Sequence, residues 1–138
     1  MRKRTRAREF ALQILYQIDI TREQLDPSLD NFWQAHSDDN IDQELKSFAD
    51  SLVHGVIDNL EAIDSNISKH ATNWQLKRMA VVDRNILRMS GYELIFRDDI
   101  PPKASINEAV ELAKKYSGID AGKFVNAILD KIKIEKNK

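Results

Sequence analysis

Five of the first eight residues are basic (Arg2, Lys3, Arg4, Arg6 and Arg8), and none of the eight is acidic. A guanidinium grips phosphate through a planar fork and an ammonium grips it as a point charge. The run therefore reads as a handle for a polyanion, with nucleic acid the leading candidate. It leads directly into an amphipathic helix, whose polar face carries Arg2, Arg6, Glu9, Gln13 and Tyr16. Tyr16 adds to that face an aromatic ring of the kind that stacks on unpaired bases. Cations at a helix N-terminus oppose the macrodipole, which costs roughly a few tenths of a kcal/mol each for Arg6 and Arg8. A locally unfavourable choice of this kind points to a purpose other than stability. The competing reading is a solvated, solubilising tail.

Two further groupings have chemical content. The junction Tyr116-Ser117-Gly118-Ile119-Asp120-Ala121-Gly122-Lys123-Phe124 joins two helices. Free N–H groups at a helix start, with Lys123 beside them, suit a phosphate, and Phe124 has a ring edge to offer a base or sugar. Asp120 opposes a phosphate there, and a plain helix–helix joint with its cap explains the same residues. The third grouping is Arg84 and Arg88, aligned with Gly91 and Ile95 on an otherwise apolar helix, while Asp83 falls on a more apolar side with Leu87, Ser90 and Leu94. Internal salt bridges or a protein-docking face explain this set equally well.

No enzyme signature is found. His36, His54 and His70 are scattered without the i, i+4 spacing of a zinc helix, and His54 falls opposite the apolar arc of its helix. The acids Asp38-Asp39 and Asp98-Asp99 read as solvated loop residues. No glycine-rich phosphate loop and no G-x-S-x-G occurs. The reading is a non-catalytic protein without metal or cofactor.

The charge is sorted along the chain. The net formal charge is −1 over 138 residues, yet Asp19 to Asp64 holds twelve acids against only Arg22 and Lys46, and residues 65–138 swing back to a positive excess. Such sorting concerns partners more than fold. With no cysteine, disulfides and thiol chemistry are excluded. No apolar stretch reaches the ~18 residues of a spanning helix, and Glu9, Gln13 and Gln17 interrupt any secretory signal, so a cytoplasmic location is expected.

Apolar periodicity predicts the elements that hold these groups. Ala7, Phe10, Ala11, Ile14, Leu15 and Ile18 form the buried arc of the first helix. Asp26-Pro27 reads as a turn or helix entry before Leu29, Phe32 and Trp33, a patch that fits either core or interface. Ser37 to Asn40 reads as a loop. Leu45 to Ile67 keeps one register through Gly55 and reads as a single long helix. Asn73-Trp74 marks a boundary, followed by a short turn bearing Leu76 and Met79. Val81–Phe96, apolar on most sides, is expected to be central and to end before Pro101-Pro102. Ser105 and Glu108 have capping-box spacing, Gly118 reads as a helix stop, and Asp120 reads as the N-cap of a last helix. No strand pattern is found. The expected fold is an all-α bundle of about seven helices, one domain over 1–138 with sub-bundles of about 1–72 and 73–138.

Several runs resemble a known family. Arg6-Ala7-Arg8-Glu9 through Tyr16-Gln17 resembles the opening helix of the bacterial transcription antitermination factor NusB family. So do Val82-Asp83-Arg84-Asn85-Ile86-Leu87-Arg88, Ile106-Asn107-Glu108-Ala109-Val110-Glu111-Leu112-Ala113-Lys114-Lys115-Tyr116 and Lys123-Phe124-Val125-Asn126. The likeness is weakest from about residue 20 to 45.

The resemblance implies two three-helix bundles and no catalytic activity. It also implies binding of boxA-type single-stranded RNA from ribosomal RNA leaders, together with a small-subunit ribosomal protein acting as NusE. The complex then joins RNA polymerase and suppresses premature termination. Carried over by position, Arg4, Arg6 and Arg8 are phosphate contacts, and Tyr16 lies on the RNA side. Lys123 and Phe124 form a second RNA patch beside Gly118, moderated by Asp120, and Asp83, Arg84 and Arg88 lie near the ribosomal-protein face. Arg2 and Lys3 belong to the same arm, whereas Thr5 departs from its most arginine-rich versions. A free homodimer is compatible with the sequence. The module also resembles the N-terminal part of an RNA cytosine methyltransferase family, but that reading needs a catalytic cysteine. The remaining alternative is a protein-binding helical adaptor without RNA contact.

Overall fold

A computed structural model describes residues 2–137; Met1, at the head of the basic arm, and Lys138 lie outside them. Seven α-helices make up the described chain: α1 Lys3–Thr21, α2 Leu25–Ala35, α3 Gln43–Asp58, α4 Leu60–His70, α5 Val81–Phe96, α6 Pro102–Ser117 and α7 Ile119–Lys136. Short 3-10 turns occupy Ser37–Asp39 and Leu76–Arg78. Among the described residues there is no strand, and no helix is long and apolar enough to cross a membrane.

Helix α5 is central because apolar residues point from most of its circumference. Ile86, Leu87, Met89 and Leu94 are all buried, and the helix meets α1, α3, α4, α6 and α7. Each fully buried side chain of this size stabilises the fold by about 1.5–3 kcal/mol. The buried apolar residues of α1 through α7 form one continuous cluster. Phe10, Phe32 and Trp33 pack edge to face, and the Trp33 indole N–H donates to Asp50 at 2.7 Å. Trp33 is thus half-buried on the flank of this core.

Three expectations are corrected. The long helix over Leu45 to Ile67 is two helices, α3 and α4, jointed at Asn59. The Asn59 side-chain amide donates to the Gly55 carbonyl at 2.8 Å, a local bond that competes with the helical ladder. Ser105 caps nothing, since α6 already begins at Pro102, whose fixed φ and missing N–H suit the first helical position. The Ser105 hydroxyl instead meets that of Ser90 at 2.8 Å, while Glu108 accepts from Thr5 at 2.7 Å. The N-cap of α7 is Gly118 rather than Asp120. Gly118 does end α6, at φ 101°, and one glycine therefore serves both helices. Asp120 lies in the first turn of α7, where a carboxylate complements the macrodipole.

Arg22 closes α1 in the left-handed conformation, φ 62°, with its N–H on the Ile18 carbonyl at 2.8 Å. Glycine or asparagine is the usual choice there, and another residue costs about 1 kcal/mol.

Candidate nucleic-acid interface

Helix α1 presents the arm in helical geometry from Lys3 onward. Its first turn has no acid, and Arg2 at the N-cap makes no side-chain cap. An anion placed there would relieve both the dipole and the clustered cations.

The five basic residues do not behave alike. Arg2, Arg4 and Arg6 are exposed, and none has a carboxylate oxygen within 4.0 Å among the described residues. Arg4 lies over the Phe48 ring at 4.5 Å from its centroid, and Arg6 over Phe10 at 5.2 Å. These rings orient the guanidinium groups without neutralising them. Lys3 pairs with Asp42 at 3.4 Å and Glu44 at 3.3 Å, side-chain hydrogen bonds that raise its pKa. Arg8 departs from the expectation of a phosphate contact. It is 4% exposed and forms a two-pronged pair with Glu93 of α5, at 3.0 and 2.7 Å. Arg8 lies on the margin of the α1 apolar arc beside Leu12, so its guanidinium is committed inward.

Tyr16 is 39% exposed and stands where the arm's face passes into an apolar groove of about 420 Å³. Leu12, Ile20, Val82 and Tyr116 also line that groove. Glu9 ties α1 to the end of α6, accepting from Lys115 at 3.0 Å and from the Tyr116 hydroxyl at 3.1 Å.

Lys123 is exposed and no hydrogen bond joins it to the arm among the described residues. Phe124 is half-buried and meets the exposed Trp74 edge to face, centroids 6.0 Å apart. Lys123 and Phe124 lie in the opening turns of α7, which follows directly on α6. Gly118 and Asp120 are both exposed at the joint between the two helices.

The arginines of α5 turn inward. Asp19 accepts from Arg84 at 2.6 Å, Asn85 at 2.9 Å and Arg88 at 3.0 Å. Arg88 also grips Asp64 with two hydrogen bonds, at 2.8 and 3.0 Å. Burial pushes the Asp19 carboxyl up, but the hydrogen bonds from Arg84 and Asn85 and the nearby arginine charges together hold it below its ordinary value. Of the two explanations open from sequence, internal salt bridges describe Arg84 and Arg88. Asp83 has no such pair among the described residues, and its Oδ1 is buried without a hydrogen-bond partner. Periodicity marks Trp74 only as a boundary and places Phe48 on the apolar arc of its helix, where it packs against the core; it assigns no role to Arg22, Lys77 or Arg78. For Trp74 the legible signal is an aromatic three and four residues before a Lys-Arg pair.

Comparison with known proteins follows the same lines. Residues 5–133 match the NusB family. The chain is 49% identical over 130 residues to the transcription antitermination protein NusB of Anaeromyxobacter dehalogenans, covering 94% of this chain and 89% of that protein. It is 49% identical over 131 residues to the same-named protein of Bacillus licheniformis, covering 95% and 96%. Among solved structures, T. maritima NusB superposes with a TM-score of 0.86 at 41% identity, over 96% of this chain and 91% of that one. A crystal structure of the antitermination factors NusB and NusE in complex with dsRNA gives 0.85 at 34% identity, over 98% of each chain.

Proposed function

Since this chain belongs to the NusB family and is a transcription antitermination factor, we propose that it acts by holding boxA-type single-stranded RNA on the exposed face of α1. Arg2 and Arg6 grip phosphates on the face that Tyr16 ends, and Arg4, over Phe48 of α3, adds a phosphate contact from the neighbouring side of the same helix start. The observation that carries this reading is the contrast within the arm: three arginines oriented by aromatic rings or left in solvent, with no carboxylate partner. Lys123 and Phe124 form a second RNA patch with Gly118 and Asp120 at its edge. Lys3 contributes once RNA displaces Asp42 and Glu44, and Arg8 supports the face from inside.

The protein partner in this proposal is a small-subunit ribosomal protein of the NusE kind, seated on the apolar groove beside Tyr16, Ile20 and Val82. Asp83, in the first turn of α5 next to Val82, borders that partner's seat, while Arg84 and Arg88 hold the helix that carries it. The assembly then joins RNA polymerase and opposes premature termination. A homodimer of the free chain and a division into sub-bundles near residue 72 belong to the same proposal. Light scattering of the free protein checks the first, and hydrogen exchange of the two halves checks the second.

Binding of the ribosomal protein, measured with and without boxA RNA, tests the proposal. RNA is expected to tighten the complex, and Arg4→Ala with Arg6→Ala to reduce that gain. Equal affinity with and without RNA would favour a protein-binding adaptor instead.

A further inference from the structure

A cleft of about 830 Å³ opens where the end of α1 meets the segment linking α4 to α5. That segment is anchored from within. Ala71 and Met79 are buried, Leu76 packs against the core, and Trp74, Lys77 and Arg78 are left outside. Trp74 is 55% exposed, the highest exposure of any aromatic side chain among the described residues, and Phe124 supports it edge-on. Across the cleft stands Arg22, held in its unfavourable left-handed backbone.

The charge in this cleft is one-sided. Asp19 and Asp64 are its only acids among the described lining residues, and Arg84 and Arg88 occupy both. Arg22, Lys77 and Arg78 have no carboxylate partner within 4.0 Å among the described residues. Unpaired cations around a supported, exposed aromatic are the combination that binds single strands, since phosphates meet the charge and any base can stack on the ring. Keeping Arg at position 22, where Gly fits the backbone better, is a local choice against stability in favour of the side chain.

We propose that this cleft is a second surface for single-stranded RNA, with a base stacked on Trp74 and phosphates held by Arg22, Lys77 and Arg78. The proposal rests on the RNA-binding reading above and extends the Lys123–Phe124 patch away from the arm, giving the strand a second point of attachment.

The chain has two tryptophans, so Trp33→Phe leaves Trp74 as the sole tryptophan fluorophore. That variant is titrated with a single-stranded oligoribonucleotide of about a dozen nucleotides and with a duplex of the same sequence, a length within the range such surfaces cover. The single strand is expected to quench Trp74, and the duplex to leave it unchanged. In the wild-type background, Trp74→Ala is expected to weaken RNA binding about 5- to 150-fold, with Trp74→Phe restoring most of it. Lys77→Ala and Arg78→Ala should each flatten the salt slope by ~0.7. Arg22→Gly should lower RNA affinity while leaving Tm equal or higher. If RNA binds in an arm-dependent way but neither quenches Trp74 nor responds to Trp74→Ala, the cleft proposal is overturned and the arm reading stands. If the wild-type chain binds no RNA, both fail. Equal quenching by the duplex overturns the single-strand assignment. Loss of ribosomal-protein binding without loss of RNA binding makes the cleft a protein interface and also overturns the proposal.

Discussion

Arg6 and Arg8 are neighbours in sequence and have opposite physical roles. Arg6 is exposed over Phe10, whereas Arg8 is buried against Glu93, which is itself 1% exposed. Removing one partner of a buried pair strands the other charge, a loss of about 3–5 kcal/mol. Arg8→Ala should therefore lower Tm by on the order of 10 °C, whereas Arg6→Ala should leave Tm nearly unchanged and weaken only RNA binding. Thermal melts of the two variants decide this; equal melts would place Arg8 outside the core. The basic run is legible in the sequence, but its division is not. Helical spacing puts Arg8 on the margin of the apolar arc, and only the position of Glu93, 85 residues away, turns that margin inward. Lys3 is a similar case, since Asp42 and Glu44 reach it from the start of another helix.

At the scale of elements, periodicity locates the helices well where one apolar face dominates. The bounds of α5 fall at Val81 and Phe96 as the spacing predicts. It fails at Asn59, where apolar spacing continues across a joint made by one side-chain hydrogen bond, and at Pro102, where prolines start a helix instead of separating two. Gly55 shows why packing must supplement pattern. A Cβ there would lie 2.0–2.5 Å from atoms of the Tyr92 ring. Gly55→Ala should therefore destabilise the protein by about 1–3 kcal/mol through overpacking, although alanine is the better helix former by roughly 1 kcal/mol. A denaturant midpoint at or above the wild-type value would show that α3 and α5 are not in close contact there.

The Asp19 clamp between α1 and α5 gives a pH dependence of definite sign. Its folded-state pKa lies below the ordinary carboxylate value. Its contribution is thus fully present above about pH 4 and is lost as pH falls through the lowered folded value. Melting temperatures of the wild type should drop more steeply than those of Asp19→Asn over this acidic range. Parallel pH profiles would mean that Arg84 and Arg88 do not depend on Asp19.

At the scale of the whole molecule, the sorted charge becomes geometry. Sequence alone separates a basic arm from an acidic middle. The tertiary structure brings part of that middle back, so Asp42 and Glu44 meet Lys3 while the arginines beside it stay unpaired. The residues that line the Trp74 cleft come from α1, α4, α5 and the link before α5. No single stretch of sequence shows them as a group, because the surface exists only once four segments converge. The most direct test of the central claim is the salt dependence of boxA RNA binding, comparing the wild type with Arg2→Ala/Arg4→Ala/Arg6→Ala. The variant should bind more weakly, and its log–log slope should be shallower by about 2, near 0.7 for each phosphate no longer neutralised. An unchanged affinity and an unchanged slope would contradict the assignment of the α1 face as the RNA-binding surface.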